Sequence, residues 1–288
     1  MHTQTGAPVA PALDPVPPSR PLPSLPAPAF PARLPGLESV SPHSEDELWL
    51  HDTLLGPFSG DIVDYLRLAR VTGGPVLDLG SGYGRLAVPF ARHGFTVEAV
   101  DRDAHSLRRL CAWADRLGPR VRRRITTHRG ELTALRLDRD YQLALLAGSM
   151  IAAVPPYARP RLLQEIVSHL GADGAVALDY TAHDAAGLAE HPCRSWAFQV
   201  PRFDGVTERV VARQEFDPAA MSERVTYCVE RSGRSGIRQT VATTVKWIVD
   251  QGDLTEQLHA AGLRIADLRQ QWLDRRTRSV LVVCRAVE

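Results

Sequence analysis

The feature that most constrains the fold is a short apolar segment that leads straight into three alternate glycines. Residues 76–79 read Val-Leu-Asp-Leu, and Gly80, Gly82 and Gly84 follow with one residue between each. Glycine lets the backbone turn with positive φ, or approach another group without a Cβ in the way. An amphipathic helical pattern begins directly afterwards. An α/β sheet receives nucleoside-bearing ligands at such a tight loop after a buried strand, so the stretch predicts a ligand site.

A second strand ends on a carboxylate at a spacing that suits a ribose. Residues 95–101 form an alternating segment that closes on Asp101. Asp101 follows Asp78 by 23 residues (101 − 78 = 23). In nucleotide-binding sheets a strand-end carboxylate at an offset of about 20 residues hydrogen-bonds the ribose hydroxyls. We therefore predict that Asp101 binds a ribose.

The glycine spacing distinguishes between nucleotide-binding motifs. Arg85 stands where the dinucleotide fingerprint G-x-G-x-x-G has its last glycine, and no G-K-[S/T] follows to make a P-loop. The stretch instead resembles the first motif of class I S-adenosylmethionine (SAM)-dependent methyltransferases, hydrophobic-hydrophobic-Asp-hydrophobic-Gly-x-Gly-x-Gly. The resemblance covers residues 45–180 well and residues 250–285 more loosely.

This resemblance implies SAM as the cofactor and assigns roles to individual residues. Asp101 matches the family's ribose acid, residues 130–132 stand where the adenine is flanked, and Gly148 begins the loop under the sulfonium. Glu131 departs from the family's usual Asp at its position. The predicted cofactor-binding residues are Asp78, Gly80, Ser81, Gly82, Gly84, Asp101, Arg102, Glu131, Leu132 and Gly148.

The pattern of strands and helices predicts an α/β fold in two parts. Strand and helix segments alternate up to Tyr180, which implies a Rossmann-like, mostly parallel sheet. Three alternating segments at 207–216, 224–231 and 238–247 then predict an antiparallel insertion near the C-terminus. We predict a SAM-binding domain from residues 74–180 and 250–288, with residues 181–249 as a β insertion that covers the substrate or forms a dimer face.

The N-terminal region differs in composition. Residues 1–42 hold 12 of the 22 prolines, which predicts a disordered or polyproline tail, with a docking arm as the alternative. Residues 43–73 are predicted to form a helical cap over the cofactor cleft. By the resemblance, Trp49 and His51 face the methyl donor or the substrate; the alternative is plain packing for Trp49 and a surface position for His51.

The catalytic and substrate residues are predicted from their place after the fourth and fifth strands, where the candidate bases Asp179, Tyr180, His183 and Asp184 cluster. His183 is the candidate base or amine-orienting group, and Tyr180 the candidate partner for a cationic amine or the sulfonium. A loop histidine without a role and a packing tyrosine are the alternatives. No metal is predicted, because no carboxylate cluster repeats at ligand spacing. The predicted substrate residues are Trp49, His51, Ser149, Met150 and Trp196.

The order of meander, helix and final strand pair resembles methyltransferases that act on amines. We therefore expect N-methylation, or dimethylation, of an amine on a small metabolite or ribosomal peptide. The chain resembles actinobacterial natural-product N-methyltransferases, including those of daptide-type peptide pathways. O- or C-methylation of a secondary metabolite is the alternative within enzymes, and a non-catalytic SAM-binding regulatory protein is the alternative outside them.

The composition limits which partners and which cellular compartment are expected for the protein. The net charge of +1 argues against a nucleic-acid partner, and no apolar run reaches the ~18 residues of a membrane span. Four dispersed cysteines without a C-x-x-C pair and the lack of a signal-peptide pattern predict a cytoplasmic protein. We expect a small-molecule or peptide substrate and consider a homodimer through the insertion.

Overall fold

The computed structural model of the protein describes residues 38–39, 59–201, 207–233, 236–273 and 276–287. In chain order the first half contains β1 (Glu38–Ser39), α1 (Ser59–Thr72), β2 (Val76–Leu79), α2 (Ala87–Arg92), β3 (Val97–Asp101), α3 (Ala104–Arg116), α4 (Pro119–Arg122), β4 (Ile125–Arg129) and β5 (Tyr141–Leu146). The second half contains α5 (Met150–Ala153), α6 (Arg159–Ser168), β6 (Leu170–His183), α7 (Ala185–Glu190), β7 (Cys193–Pro201), β8 (Thr207–Asp217), β9 (Ser222–Gly233), β10 (Gly236–Trp247), α8 (Gln251–Ala260), β11 (Leu263–Trp272) and β12 (Thr277–Ala286). Short 3₁₀ turns lie at Leu132–Ala134 and Pro156–Ala158.

Seven strands form the main sheet, in the order β11-β12-β6-β5-β2-β3-β4. The strands β2 to β6 run parallel to one another, and β12 is antiparallel to both β6 and β11. The chain runs outward from β2 through β3 to β4 on one side, and through β5 to β6 on the other. The loops after β2 and β5 therefore flank a topological switch point, where open α/β sheets bind ligands.

Two hydrophobic layers cover the main sheet. On one face, α1, α2 and α3 bury apolar side chains such as Leu66, Phe90 and Leu110. On the other face, α6 and α8 bury Leu163 and Leu258, among others. The central parallel strands β2 and β5 are buried on both faces, which explains why they read as continuous apolar runs in the sequence. The predicted Rossmann-like, mostly parallel α/β fold is confirmed.

A second sheet of five strands has the order β1-β10-β9-β8-β7. The strands β7 to β10 form an antiparallel meander, as the insertion pattern predicts, although β7 was not among the predicted strands. The strand β10 packs against α5, which follows the loop at the end of β5. The meander therefore reaches the main sheet beside its switch point.

Part of the predicted N-terminal tail is paired with the second sheet. Glu38 lies opposite Thr240 and Ser39 opposite Val241, in a parallel arrangement. The prediction of a disordered tail is therefore wrong at these two residues, because they share the ladder of β10. Residues 1–37 and 40–58, which include the rest of the tail, Trp49 and His51, lie outside the described residues.

The four cysteines are free thiols in this fold, with Cys228 and Cys284 buried and Cys193 exposed. Among the described residues, no helix is long and apolar enough to span a membrane. The described ranges also contain no cluster of three or more His, Cys, Asp or Glu side chains arranged to hold a metal ion.

Candidate functional site

The glycine loop after β2 is held in place by its neighbour strand. The N–H groups of Gly80 and Ser81 both donate to the carbonyl oxygen of Val100, at 2.8 and 3.0 Å. Gly80 and Gly82 have φ of 75° and 53°, in the left-handed region that glycine adopts without a steric penalty. No atom beyond the chain neighbours lies within 4 Å of where a Cβ of Gly82 would stand. The loop therefore leaves room for a ligand directly above Gly82.

Two of the loop glycines are required by close packing. A Cβ on Gly84 would lie 2.7 Å from Cγ of Leu110, because α3 packs directly onto this turn. A Cβ on Gly80 would lie 2.5 Å from Cε of Met150, whose side chain crosses from the loop after β5. The predicted substrate residue Met150 thus joins the two loops of the switch point.

Asp101, the predicted ribose acid, also orients the glycine loop. Its Oδ2 accepts a 2.8 Å hydrogen bond from the N–H of Gly82, and its Oδ1 accepts one of equal length from the N–H of Asp103. Asp103 in turn caps α3, accepting from the N–H groups of His105 and Ser106. The Asp101 carboxylate remains half-buried, so it can still accept from ribose hydroxyls at the loop's edge.

Two buried side-chain oxygen atoms in the motif have no hydrogen-bond partner within the described part of the protein. Asp78 is 3% exposed and Ser81 is 6% exposed, and Oδ2 of Asp78 and Oγ of Ser81 have no hydrogen bond. Burial raises the pKa of Asp78 to about 7, and the nearby Arg85 guanidinium opposes the shift. Buried acceptors without a donor are costly, so this pair fits a ligand that brings donors, as the ammonium group of SAM does.

The loop after β5 is fixed by a carboxylate from β6. Oδ1 of Asp179 accepts from the N–H of Gly148 at 2.7 Å and from the hydroxyl of Tyr65 at 2.7 Å, and Oδ2 accepts from the N–H of Ser149 at 2.9 Å. Burial raises the pKa of Asp179, and these hydrogen bonds oppose the shift. Gly148 and Ser149 have φ of 74° and 60°. The left-handed conformation of Ser149 is strained, and such strain is common at ligand sites.

Arg85 ties the glycine loop to α1. Its Nη1 lies 2.7 and 2.8 Å from the two carboxylate oxygens of Asp61. Its Nη2 lies 4.0 Å from the position that a Cβ of Gly148 would occupy. The structure therefore brings Asp78, Arg85 and the two ligand loops together on the α1 side of the sheet.

The remaining predicted cofactor residues lie beside Asp101. The N–H of Gly130 donates to the Asp101 carbonyl oxygen at 3.1 Å, so the loop after β4 reaches the ribose position. Glu131 follows with an exposed side chain, and Leu132 packs half-buried against the core. Arg102 is exposed, and its carbonyl oxygen accepts from Arg129. The adenine roles of these residues stay predictions.

The structure does not bring the predicted catalytic pair to the switch point. His183 lies four residues beyond Asp179 on β6, about 13 Å along an extended strand. Its Nε2 is 3.6 Å from Oε2 of Glu223 at the start of β9. Tyr180 points to the opposite face of β6 from Asp179, is 1% exposed among core residues, and its hydroxyl has no hydrogen bond to the described residues. Burial, together with Asp250, raises the pKa of Tyr180 to about 12. Their catalytic roles stay predictions.

The predicted substrate residues separate in the same way. Ser149 and Met150 lie in the β5 loop beside the glycines. Trp196 lies on β7, three strands from β10, with the Arg194 guanidinium 5.3 Å from its ring centre. Trp49 and His51 are outside the described residues.

Sequence reasoning missed Asp61 and Tyr65 of α1 as site residues, and it considered Asp179 only as a candidate base. The sequence holds only weak indications of these roles. Asp61 and Tyr65 are four residues apart in a predicted helix, and Asp179 lies near the end of an apolar strand. Neither pattern says that the helix and the strand meet, since Tyr65 and Asp179 are 114 residues apart in sequence.

A family model matches the part of the chain that contains both ligand loops. Residues 76–174 match the family model described as "Methyltransferase domain". The chain has no significant sequence match to a curated protein.

Solved structures match over most of the chain at low identity. The CcbJ methyltransferase from Streptomyces caelestis is 20% identical, with 77% of this chain and 88% of that chain covered and a TM-score of 0.64. SAM-bound CalS10, an amino pentose methyltransferase from Micromonospora echinaspora, is 17% identical, with 85% and 99% covered and a TM-score of 0.60. The glycopeptide N-methyltransferase MtfA in complex with SAM is 19% identical, with 80% and 87% covered and a TM-score of 0.57.

The family match spans both ligand loops, and the solved structures share the fold of this chain. The chain carries a methyltransferase domain over residues 76–174 and has the fold of methyltransferases solved with SAM bound.

Proposed function

We propose that this protein transfers a methyl group from SAM to the nitrogen of an amine on a natural product, either a small metabolite or a short peptide. Two structural neighbours support the acceptor class by name: MtfA is a glycopeptide N-methyltransferase and CalS10 is an amino pentose methyltransferase. CalS10 acts in calicheamicin biosynthesis, which supports a place in natural-product tailoring.

The observation that carries the proposal is the orientation of the loop after β5. The N–H groups of Gly148 and Ser149 both point at Asp179. In a trans peptide the carbonyl points opposite to the N–H, so the carbonyl oxygens of Ala147 and Gly148 point away from Asp179. In the strand order β6-β5-β2, the side of the loop opposite β6 is the side of β2 and its glycine loop. Two carbonyl oxygens there can accept hydrogen bonds from an amine and leave its lone pair free.

The charges around the loops also favour an amine. Asp101 lies at the glycine loop and Asp179 at the loop after β5, while Asp61 and Arg85 form an ion pair with each other. Such a surplus of carboxylates attracts a cationic cofactor and an ammonium-bearing acceptor. Asp179 uses both oxygens for Tyr65 and the loop, so it is not free to act as a general base. An amine reacts without one once it is neutral, whereas a hydroxyl needs a base within about 3 Å.

The chain's own contribution to catalysis is alignment. When bound, SAM supplies a methyl group that is already activated on a sulfonium. The two loops hold the methyl donor and the amine on one line, and such positioning supplies up to about 7–11 kcal/mol in ideal cases. We further propose that the five-stranded sheet, which packs against α5 through β10, forms the acceptor side of the cleft.

The test is an acceptor screen with the full-length protein. We would incubate it with SAM carrying a trideuteromethyl group and matched pairs of acceptors, each pair an amine and its hydroxyl analogue, drawn from amino sugars and short peptides. Mass spectrometry of the products is expected to show label on nitrogen and none on the hydroxyl partner. Label on oxygen or carbon alone would overturn the proposal in favour of O- or C-methylation.

A further inference from the structure

We infer that Asp61 and Tyr65 of α1 are positioning residues that hold the two ligand loops in their binding geometry. The inference rests on the proposed function only through the cofactor, and it does not depend on the acceptor. Neither residue needs to touch SAM. Each acts through a second side chain, Arg85 or Asp179, that contacts or borders a loop.

The first connection runs from Tyr65 to the loop after β5. Tyr65 is 1% exposed, and its hydroxyl donates to Oδ1 of Asp179 at 2.7 Å. The same carboxylate accepts hydrogen bonds from the N–H groups of Gly148 and Ser149. Ser149 is in a strained left-handed conformation, so the loop relies on these bonds to keep its shape. Loss of the Tyr65 hydroxyl would leave the carboxylate held only by the N–H groups of the strained loop, so that the side chain and the loop can shift together.

The second connection runs from Asp61 to the glycine loop. Asp61 holds Nη1 of Arg85 with both carboxylate oxygens, and the Arg85 side chain is 15% exposed. Arg85 directly follows Gly84, and its Nη2 approaches Gly148 of the other loop. The guanidinium therefore stands between the two loops, and Asp61 determines where it points.

The spacing on α1 explains how one helix serves both loops. Asp61 and Tyr65 are four residues apart, so they lie on one face, one turn apart. This face packs on β5 and β6, the strands that carry and clamp the second loop. Asp64, whose side chain is 35% exposed, pairs instead with Arg67 at 3.3 Å and with Arg269 of β11 at 3.5 Å. The helix thus has one polar pair that serves the site and one that does not.

The experiment measures the affinity for S-adenosylhomocysteine by calorimetry, on the full chain and at a temperature where every variant shows a wild-type circular dichroism spectrum. Tyr65→Phe removes only the hydroxyl, and Asp61→Asn removes the charge. We expect each to weaken the affinity about tenfold, the scale of a lost hydrogen bond to a charged group. The conservative Asp61→Glu is expected to restore part of the loss.

Matched controls separate positioning from plain stability. Tyr141→Phe also removes a hydroxyl from a 1% exposed tyrosine, one that bonds Arg139 at the far end of β5. Asp64→Asn removes a charge of similar exposure on the same helix, one that pairs with Arg67 and Arg269. We expect both controls to bind the ligand like the wild type, even where their melting temperature falls.

Wild-type affinity in Tyr65→Phe and Asp61→Asn, with only a lower melting temperature, would overturn the inference. An equal loss of affinity in the two controls would overturn it as well. If the variants lose affinity but no amine is methylated by the wild type, the proposed function fails and the positioning role stands. Tyr65→Phe is the variant at greater risk of misfolding, and Asp61→Asn then decides, because the Asp61 side chain is 31% exposed.

Discussion

The ligand loops of the main sheet and the five-stranded sheet use their polar side chains in different ways. At the ligand loops, carboxylates accept from backbone N–H groups: Asp101 from Gly82 and Asp103, and Asp179 from Gly148 and Ser149. In the five-stranded sheet, side chains bond to one another instead. Arg194 donates a hydrogen bond to Gln214, which donates one to Glu223, so this chain of bonds crosses three strands. Glu230 accepts hydrogen bonds from Arg209 and Gln239.

The difference shows how each region can specialise. A carboxylate that holds backbone N–H groups fixes the course of the chain itself, which preorganises a site for one unchanging ligand. Bonds between side chains on adjacent strands leave the ladder untouched, so they can change by substitution while the sheet remains. This contrast supports the proposal that the main sheet binds the cofactor and the five-stranded sheet forms the acceptor side of the cleft.

The largest expected effect is in the packed glycine turn. Gly84→Ala should destabilise the protein by about 4 kcal/mol, because φ of 96° strains an alanine and its Cβ would meet Leu110 at 2.7 Å. Gly82→Ala is the control: it has a positive φ but open space, and should cost only about 1 kcal/mol while it weakens S-adenosylhomocysteine binding. Urea unfolding with calorimetry checks both, and equal destabilisation by the two would contradict the contrast between packed and open glycines.

The next effect is a pH dependence that belongs to Asp78. Its folded pKa of about 7 is above the unfolded value, so the folded ligand-free protein holds an extra proton between about pH 4 and 7. The free energy of unfolding therefore falls as pH rises through this window. Between pH 5 and 8 the wild type should lose roughly 3 kcal/mol more than Asp78→Asn, which stays neutral throughout. If the free energy of unfolding, measured with urea, changes with pH equally in the two proteins, Asp78 is not a protonated buried acid.

The smallest effect is expected at the boundary between the two sheets. His183→Gln should lower stability by about 1 kcal/mol through the lost contact with Glu223, and should change kcat by less than about threefold. A general base would instead lose about 100-fold or more. Steady-state kinetics on a confirmed acceptor gives the answer. A large loss of kcat with an unchanged melting temperature would indicate that the acceptor binds beside His183. The proposed division of roles between the main sheet and the five-stranded sheet would then be wrong.

Much of the cofactor half follows from local sequence. The strand, the glycine turn and the helix from Val76 to Arg92 are contiguous, and their φ requirements and apolar pattern act within a few residues. Asp101 is predictable because a βαβ unit has a narrow range of lengths, so the next strand end returns to the loop. These elements depend on stereochemistry that each short segment carries by itself.

Only the tertiary structure decided what the polar groups far apart in sequence do. In the sequence, Asp179 and His183 are close together and both are candidate bases. In the structure they lie at different points of β6 and have different partners. Asp179 accepts hydrogen bonds from Gly148 and Tyr65, whereas His183 contacts Glu223. Likewise, α1 is recognisable as a helix, whereas its hold on both ligand loops is not. Secondary structure depends on nearby residues, while a contact across 114 residues depends on how the strands pair and which helix covers them.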